Sequence, residues 1–489
     1  MRLHDAVWRR SVLVRATLAT LVVAGHAWLG GASPGHAQPS DIDPRRSLVV
    51  TEQPILERFS LQRVLDQLVA QSGVRGLTSL DLFHQWWDTQ NPAPGNVAGP
   101  HCGDEKDAAG EPALNTYPYD CRPEPAEGGE VTSFPFPDTA DNPGAYIPIG
   151  LFNRFDLAPA DGSHCGEHRI VYARRSGIDE GTSRNLLIFE AMLPNPHPGQ
   201  GIKGCFRIVK FWADLTKENS LFRRAEALER FYFRGVANIP PVVHVHHYGN
   251  NALGAGQIRT NQFMQPEAPR NWTLREFKLL RTCAGAACTA LTMVPVANKE
   301  NPFGPLFDPM GSHPRARRFR QHFVGHVPTL AAGSVADIAF TDPVNDYNSG
   351  QSQASSANTE TDYLVHFGAV PSDLRDAIEA ALDDLGSGRN GLTADHIVAR
   401  AQALSCAGCH QRNNGMRLGG GLVWPPSLGF THVTERETET VDGVTRFLIS
   451  EALTTTFLPK RKQVLDDFMN DRPLNVRSPK SPIGGRRTH

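Results

Sequence analysis

The eight cysteines constrain this chain more than any other feature. Two of them stand close together in the run Ser405-Cys406-Ala407-Gly408-Cys409-His410. The other six, Cys102, Cys121, Cys165, Cys205, Cys283 and Cys288, form an even remainder. An even set in an exported chain reads as a disulfide framework, because thiols persist as such mainly in the reducing cytosol. Neighbour pairing is the simplest expectation: Cys102–Cys121, Cys165–Cys205 and Cys283–Cys288. The last pair would close a small loop through Ala284-Gly285-Ala286-Ala287.

The N-terminus supplies the export context. Arg2, Arg9, Arg10 and Arg15 precede an apolar run from Ala16 to Gly31, and Gly35-His36-Ala37 offers the small residues that a signal peptidase reads. Residues 1–37 are therefore expected to be a signal peptide, cleaved after Ala37. Arg9-Arg10-Ser11-Val12-Leu13 also resembles a twin-arginine export signal. A retained anchor is the alternative, but the run is short for a bilayer span. No later segment is apolar enough to cross a membrane, so the expected location is periplasmic or secreted. The formal charge of −2 is not the footprint of a nucleic-acid partner, which would show a strongly basic face.

With 489 residues, 40% of them hydrophobic, the chain is long enough for more than one domain. Residues 38–145 read as a helical and loop-rich N-terminal region. A helix is expected over 55–72 and a short helix or turn at Leu80–Trp87, where Trp86 and Trp87 are most simply core residues. Residues 146–360 read as an α+β domain with an antiparallel-rich sheet. Its expected strands are Tyr146–Phe155, His168–Arg174, Asn185–Met192, Phe206–Trp212, Val242–Tyr248, Gln257–Phe263, Trp272–Arg281 and Ala290–Val296. A helix is expected over 219–233 and a basic one over 314–326. Residues 361–489 read as mainly helical, with helices at Pro371–Leu385, Thr393–Leu404 and Lys460–Met469. Thr393 is a good N-cap, and its helix runs directly into Cys406.

Cys406-x-x-Cys409-His410 is the attachment pattern of covalent c-type haem. Each thiol adds to one vinyl group of the porphyrin, and the spacing puts both sulfurs on one turn. His410 can then reach the iron as the proximal axial ligand. A redox dithiol uses the same Cys-x-x-Cys, but no strand–motif–helix pattern surrounds it. A structural zinc site wants a second ligand pair at short spacing, and none follows.

On these residues the segment from about 385 to 470 resembles the cytochrome c family. The resemblance implies a helical haem domain, one-electron transfer, and a loop supporting the proximal histidine. Leu418-Gly419-Gly420-Gly421 and Trp424-Pro425-Pro426-Ser427-Leu428-Gly429-Phe430 are similar to that loop, with Pro425 or Pro426 as the support. It also implies a sixth ligand some tens of residues after the motif. His432 is the candidate distal ligand and Met469 the alternative. Met416 is only six residues beyond His410, too near to cross to the other face. A histidine from the middle domain or an open sixth position are further options. The remainder of the chain, including Asn153-Arg154-Phe155-Asp156-Leu157-Ala158-Pro159, is similar to exported bacterial proteins of no assigned function.

Three other constellations carry chemistry on paper. In Val243-His244-Val245-His246-His247-Tyr248, read as a strand, His244 and His246 share a face that suits a metal or the haem's distal side. His164, Glu167 or His168 would supply a third ligand. Asp342-Pro343-Val344-Asn345-Asp346-Tyr347-Asn348-Ser349-Gly350 concentrates oxygen ligands for calcium but lacks the EF-hand spacing, so a solvated turn is the favoured reading. His313, Arg315, Arg317, Arg318, Arg320 and His322 form a basic helix that would face haem propionates, an acidic redox partner or solvent.

The expectation is thus an exported monohaem protein that passes single electrons to a redox partner protein. A haem-dependent oxidoreductase or peroxidase acting on a small-molecule substrate is the first alternative. A non-haem binding protein with a dithiol or zinc site is the second.

Overall fold

The computed structural model describes residues 42–92, 99–122, 134–181, 183–263, 272–340, 345–354 and 360–474. The expected signal peptide and the Asp342–Val344 part of the calcium-type loop lie outside the described residues. The fold is α+β and antiparallel. One eight-stranded sheet is built from β1 (Val49–Val50), β2 (Tyr146–Arg154), β3 (His164–Arg174), β4 (Asn185–Pro194), β5 (Gln257–Phe263), β6 (Trp272–Ala284), β7 (Ala287–Val296) and β8 (Gln351–Gln353). The order is β1-β2-β3-β4-β5-β6, and the far side of β6 is shared by β8 over Thr273–Arg275 and β7 over Glu276–Ala284.

Period-two alternation assigns the two faces of this sheet different work. Leu151, Ile170, Tyr172, Leu187, Phe189, Ile258 and Phe277 are fully buried in an apolar core. Helices α1 (Leu61–Ser72), α2 (Ser79–Asp88), α3 (Phe206–Leu215) and α4 (Leu221–Phe233) contribute to the same core. Trp86 and Trp87 are part of it. The alternate residues carry charge. Arg169 stands opposite Glu190, Glu190 opposite Gln257, and Arg259 opposite Glu276, so the strand register itself builds cross-strand ion pairs.

A second apolar core is mainly helical and gathers α5 (Ala316–Val324), α6 (Asp373–Asp383) and α7 (Ala394–Leu404) around Phe307, Tyr363 and Trp424. Thr393 caps α7, its hydroxyl accepting from the His396 amide. The chain ends with a hairpin, β9 (Val433–Val441) and β10 (Val444–Ile449), and with α8 (Leu458–Met469). Val433, Phe447, Val464 and Leu465 from these elements join the sheet core.

Three expectations about local structure are corrected. Phe206–Trp212 is not a strand but the start of α3. Ile208, Val209, Trp212, Ala213 and Leu215 are its buried residues, a helical spacing hidden in a short apolar run. Val242–Tyr248 is not a strand either. Pro240 and Pro241 precede it without N–H groups to donate, and Val245–His247 closes as a 3-10 turn. The C-terminal part, expected to be mainly helical, contains the β9–β10 hairpin. Its turn, Asp442-Gly443, has positive φ at both residues (51° and 76°), the conformation that a two-residue hairpin turn demands.

All three disulfides join sequence neighbours: Cys102–Cys121, Cys165–Cys205 and Cys283–Cys288. Cys406 and Cys409 stand outside disulfides. Structural disulfides are the mark of an oxidising compartment. No helix among the described residues is long and apolar enough to cross a membrane.

Candidate haem site

The motif sits in the turn that follows α7. Ser405 ends the helix, its hydroxyl donating to the Gln402 carbonyl at 2.7 Å and accepting from the Gly408 amide at 3.0 Å. Gly408 packs so closely that a Cβ there would lie 1.8 Å from the Gln402 oxygen. The Ala407 amide donates to Ser352 Oγ of β8 at 2.9 Å, which docks the turn onto the sheet. Residues Gly408–Arg412 then form a wide helical turn.

Cys406, Cys409 and His410 line one cavity of about 1190 Å³, whose floor is the charged face of the sheet. That is larger than the roughly 300–1,000 Å³ of ordinary small-molecule pockets. At the motif's end the walls include apolar Trp424, Val433, Leu453 and Phe457. The floor carries Arg154, Arg169 and Arg259, and Arg461 enters from α8.

His410 is held by three neighbours. Its Nδ1 lies 3.0 Å from the Phe430 carbonyl oxygen. Asn261 Nδ2 donates to that same oxygen at 2.6 Å, and Asn261 is oriented in turn by the Trp272 indole N–H. The Trp272 ring lies 5.5 Å from the His410 ring, centroid to centroid. Burial pulls His410 down to about 4, so the ring is neutral near pH 7. With Nδ1–H directed at the carbonyl, Nε2 keeps its lone pair, the usual arrangement of a metal-ligating histidine. The support is thus the Phe430 carbonyl; of the proline segment, Ser427 also contributes, donating from its hydroxyl to the His410 carbonyl.

The thiols sit in unlike surroundings. Burial pushes Cys406 up to about 12, against the opposing pull of Arg259. Cys409 Sγ lies 3.3 Å from His432 Nε2, and His432 Nδ1 lies 2.9 Å from Ser450 Oγ. The His432 and His410 rings are 4.8 Å apart. Met469, at the end of α8, packs against the sheet core and is not among the cavity's lining residues. Met416 packs against the helical core, with Asn413 Nδ2 2.8 Å from its sulfur.

The other sequence candidates are scattered. His244 and His246 are 5.2 Å apart, but His246 is engaged by Asn250 and Arg281. His164 and Glu167 line the cavity, whereas His168 is buried in the core beside Trp212. No group of three or more His, Cys, Asp or Glu able to hold a metal occurs among the described residues. Asn345–Tyr347 is a 3-10 turn whose Asp346 carbonyl accepts from Tyr117 and Arg315.

The charged floor went unread in the sequence. Glu167-x-Arg169, Gln257-x-Arg259-x-Asn261 and Glu276-x-Lys278 place charged and amide residues at period two along three strands, and that pattern is its signal. Gln257 links the floor together: its amide N–H groups donate to Glu167 and Glu190, and its oxygen accepts from Lys278 and Lys299. Burial and the neighbouring Lys299 pull Lys278 down to about 7.

No protein-family model, curated protein or solved structure matches the chain.

Proposed function

We propose that this protein is an exported monohaem c-type cytochrome, with haem bound through Cys406 and Cys409 and His410 as proximal ligand. The observation that carries this reading is the clamp on His410: Nδ1 is committed to the Phe430 carbonyl, and the ring shares one cavity with both thiols. The residues present suit the group. The apolar walls match a macrocycle, and Arg154, Arg259 and Arg461 would meet its carboxylates. A haem in this position supplies one-electron Fe(III)/Fe(II) chemistry. The chain's own residues orient the imidazole, keep it neutral and shield it from bulk water.

A second reading, a haem-dependent oxidoreductase acting on a small molecule, draws on two features. The cavity extends along the sheet floor beyond the motif to His164 and Lys278. In addition, two axial nitrogens on one metal stand about 4 Å apart at ordinary bond lengths, and their ring centroids stand further apart still. At 4.8 Å the rings of His410 and His432 are too close to flank a metal as they stand. This supports an open distal side, with His432 held beside the Cys409 sulfur. Distal ligation by His432 would require the rings to part, and Met469 would have to leave its packing.

The test is expression with haem-maturation machinery, denaturation, and a pyridine haemochrome assay. Covalent haem is expected, and it should be lost in Cys406→Ser/Cys409→Ser. A folded product without covalent haem would sink the reading. A low-spin native spectrum that changes in His432→Ala favours the electron carrier, and a high-spin spectrum responsive to peroxide favours the enzyme.

A further inference from the structure

A second pair of histidines lies outside the cavity. His322, in the last turn of α5, and His326, just beyond it, face one another with their Nε2 atoms 3.2 Å apart. Both rings are braced by buried aromatics. His322 lies against Tyr347 at 5.9 Å, and His326 meets Phe340 edge-on at 5.0 Å, ring centroid to centroid. Neither histidine lines the haem-site cavity.

We propose that His322 and His326 form a binding site for a divalent transition ion of the zinc class, independent of the haem site. The geometry is specific. An ion at the usual Zn–N distance of about 2.0–2.1 Å from two nitrogens 3.2 Å apart would subtend an angle of roughly 100–105°. That is close to tetrahedral. Imidazole nitrogen is the donor such ions prefer over carboxylate or carbonyl oxygen. Only the neutral ring ligates, and burial together with the neighbouring His322 brings His326 down to about 4. The aromatic bracing preorganises both rings before the ion arrives.

The basic character of α5 does not close the site. Arg315 donates to the Asn115 and Asp346 carbonyls and Arg320 to that of Asp308. Arg317 and Arg318 are exposed, where water and salt screen them. A hydrogen bond between the two imidazoles is the other arrangement that suits this distance. It uses one of the lone pairs that the ion would take, so the two states exclude each other. No third His, Cys, Asp or Glu completes a metal group among the described residues, which leaves the remaining positions to water or an exchangeable ligand. The ion would tie α5 to the turn that follows it.

The test is calorimetric titration of the EDTA-stripped, full-length haem-loaded protein with zinc chloride. One zinc per chain is expected, and binding should weaken by at least about tenfold in His322→Asn and in His326→Asn, each compared by circular dichroism with the parent. No saturable site, or an unchanged isotherm in either variant, overturns the proposal. If a variant misfolds, zinc K-edge absorption on the parent protein decides. Two imidazole nitrogens on the zinc support the site; a different imidazole count, or sulfur ligation, overturns it.

Discussion

His410 Nδ1 and the carbonyl oxygen of Phe430 lie 3.0 Å apart across twenty residues of chain. Asn261 donates to the same oxygen from β5, so two groups compete for one acceptor. Removing Asn261 should strengthen the carbonyl's hold on the histidine N–H and make the imidazole more electron-rich. An electron-rich ligand stabilises oxidised iron. Asn261→Leu in the haem-loaded protein is therefore expected to lower the midpoint potential. One neutral hydrogen bond is worth about 1 kcal/mol, or roughly 40 mV for one electron. Spectroelectrochemical titration checks this, and an unchanged or higher potential counts against the clamp.

Gly408 is needed for close approach. A Cβ at this position would collide with the Gln402 carbonyl. Gly408→Ala should push the motif away from α7 and lower the yield of covalently haem-loaded protein, while the three disulfides still form. The haem-to-protein ratio of purified material reads this directly. A ratio equal to the parent's would mean that the turn tolerates the displacement.

Arg184 and Glu435 form a buried ion pair with Nε and Oε1 2.8 Å apart, and the Arg184 guanidinium also donates to the Leu428 and Gly429 carbonyls. It joins the start of β4 to β9 and to the loop that holds His410. Arg184→Met leaves the Glu435 carboxylate buried without its partner. The expected loss is about 3–5 kcal/mol, read from urea unfolding. Arg184→Met combined with Glu435→Gln should recover part of it; no recovery would indicate that the carbonyl contacts, not the ion pair, dominate.

Two histidines remote from the Cys406–His410 motif set an acid limit. Burial pulls His168 and His247 each down to about 3, and His168 Nδ1 accepts from the Trp212 indole N–H at 3.1 Å. Folded-state values below the unfolded one mean that the unfolded chain takes up protons first. Their stabilising contribution is thus fully present above about pH 6.5 and is lost as the pH falls toward 3. At pH 5 the loss should be on the order of 2 kcal/mol per histidine. Urea midpoints at pH 7 and pH 5 measure it, and His168→Gln should flatten the dependence. Equal pH sensitivity in that variant would remove His168 from the account.

Much of this protein follows from its sequence. Six of the expected strands and most helices rest on local periodicity and caps, such as Thr393 ahead of α7. The disulfides join neighbours because short chain separations are the easiest to close. The motif at Cys406, Cys409 and His410 is a local pattern, legible without any fold. Short apolar runs were ambiguous, because Phe206–Leu215 carries few residues with which to separate a period of 3.6 from one of 2. Asp442-Gly443 is a two-residue turn signal, but it lies between segments with helical periodicity.

Only the tertiary structure decided what surrounds the motif. Glu167, Arg169, Glu190, Arg259 and Glu276 come from four strands, and pairing register alone turns them into one cavity floor. Phe430 and Asn261 reach His410 from twenty and 149 residues away, distances over which no local pattern operates. Sequence determines which side chains a strand offers to each face; the packing of strands and loops determines which of them meet.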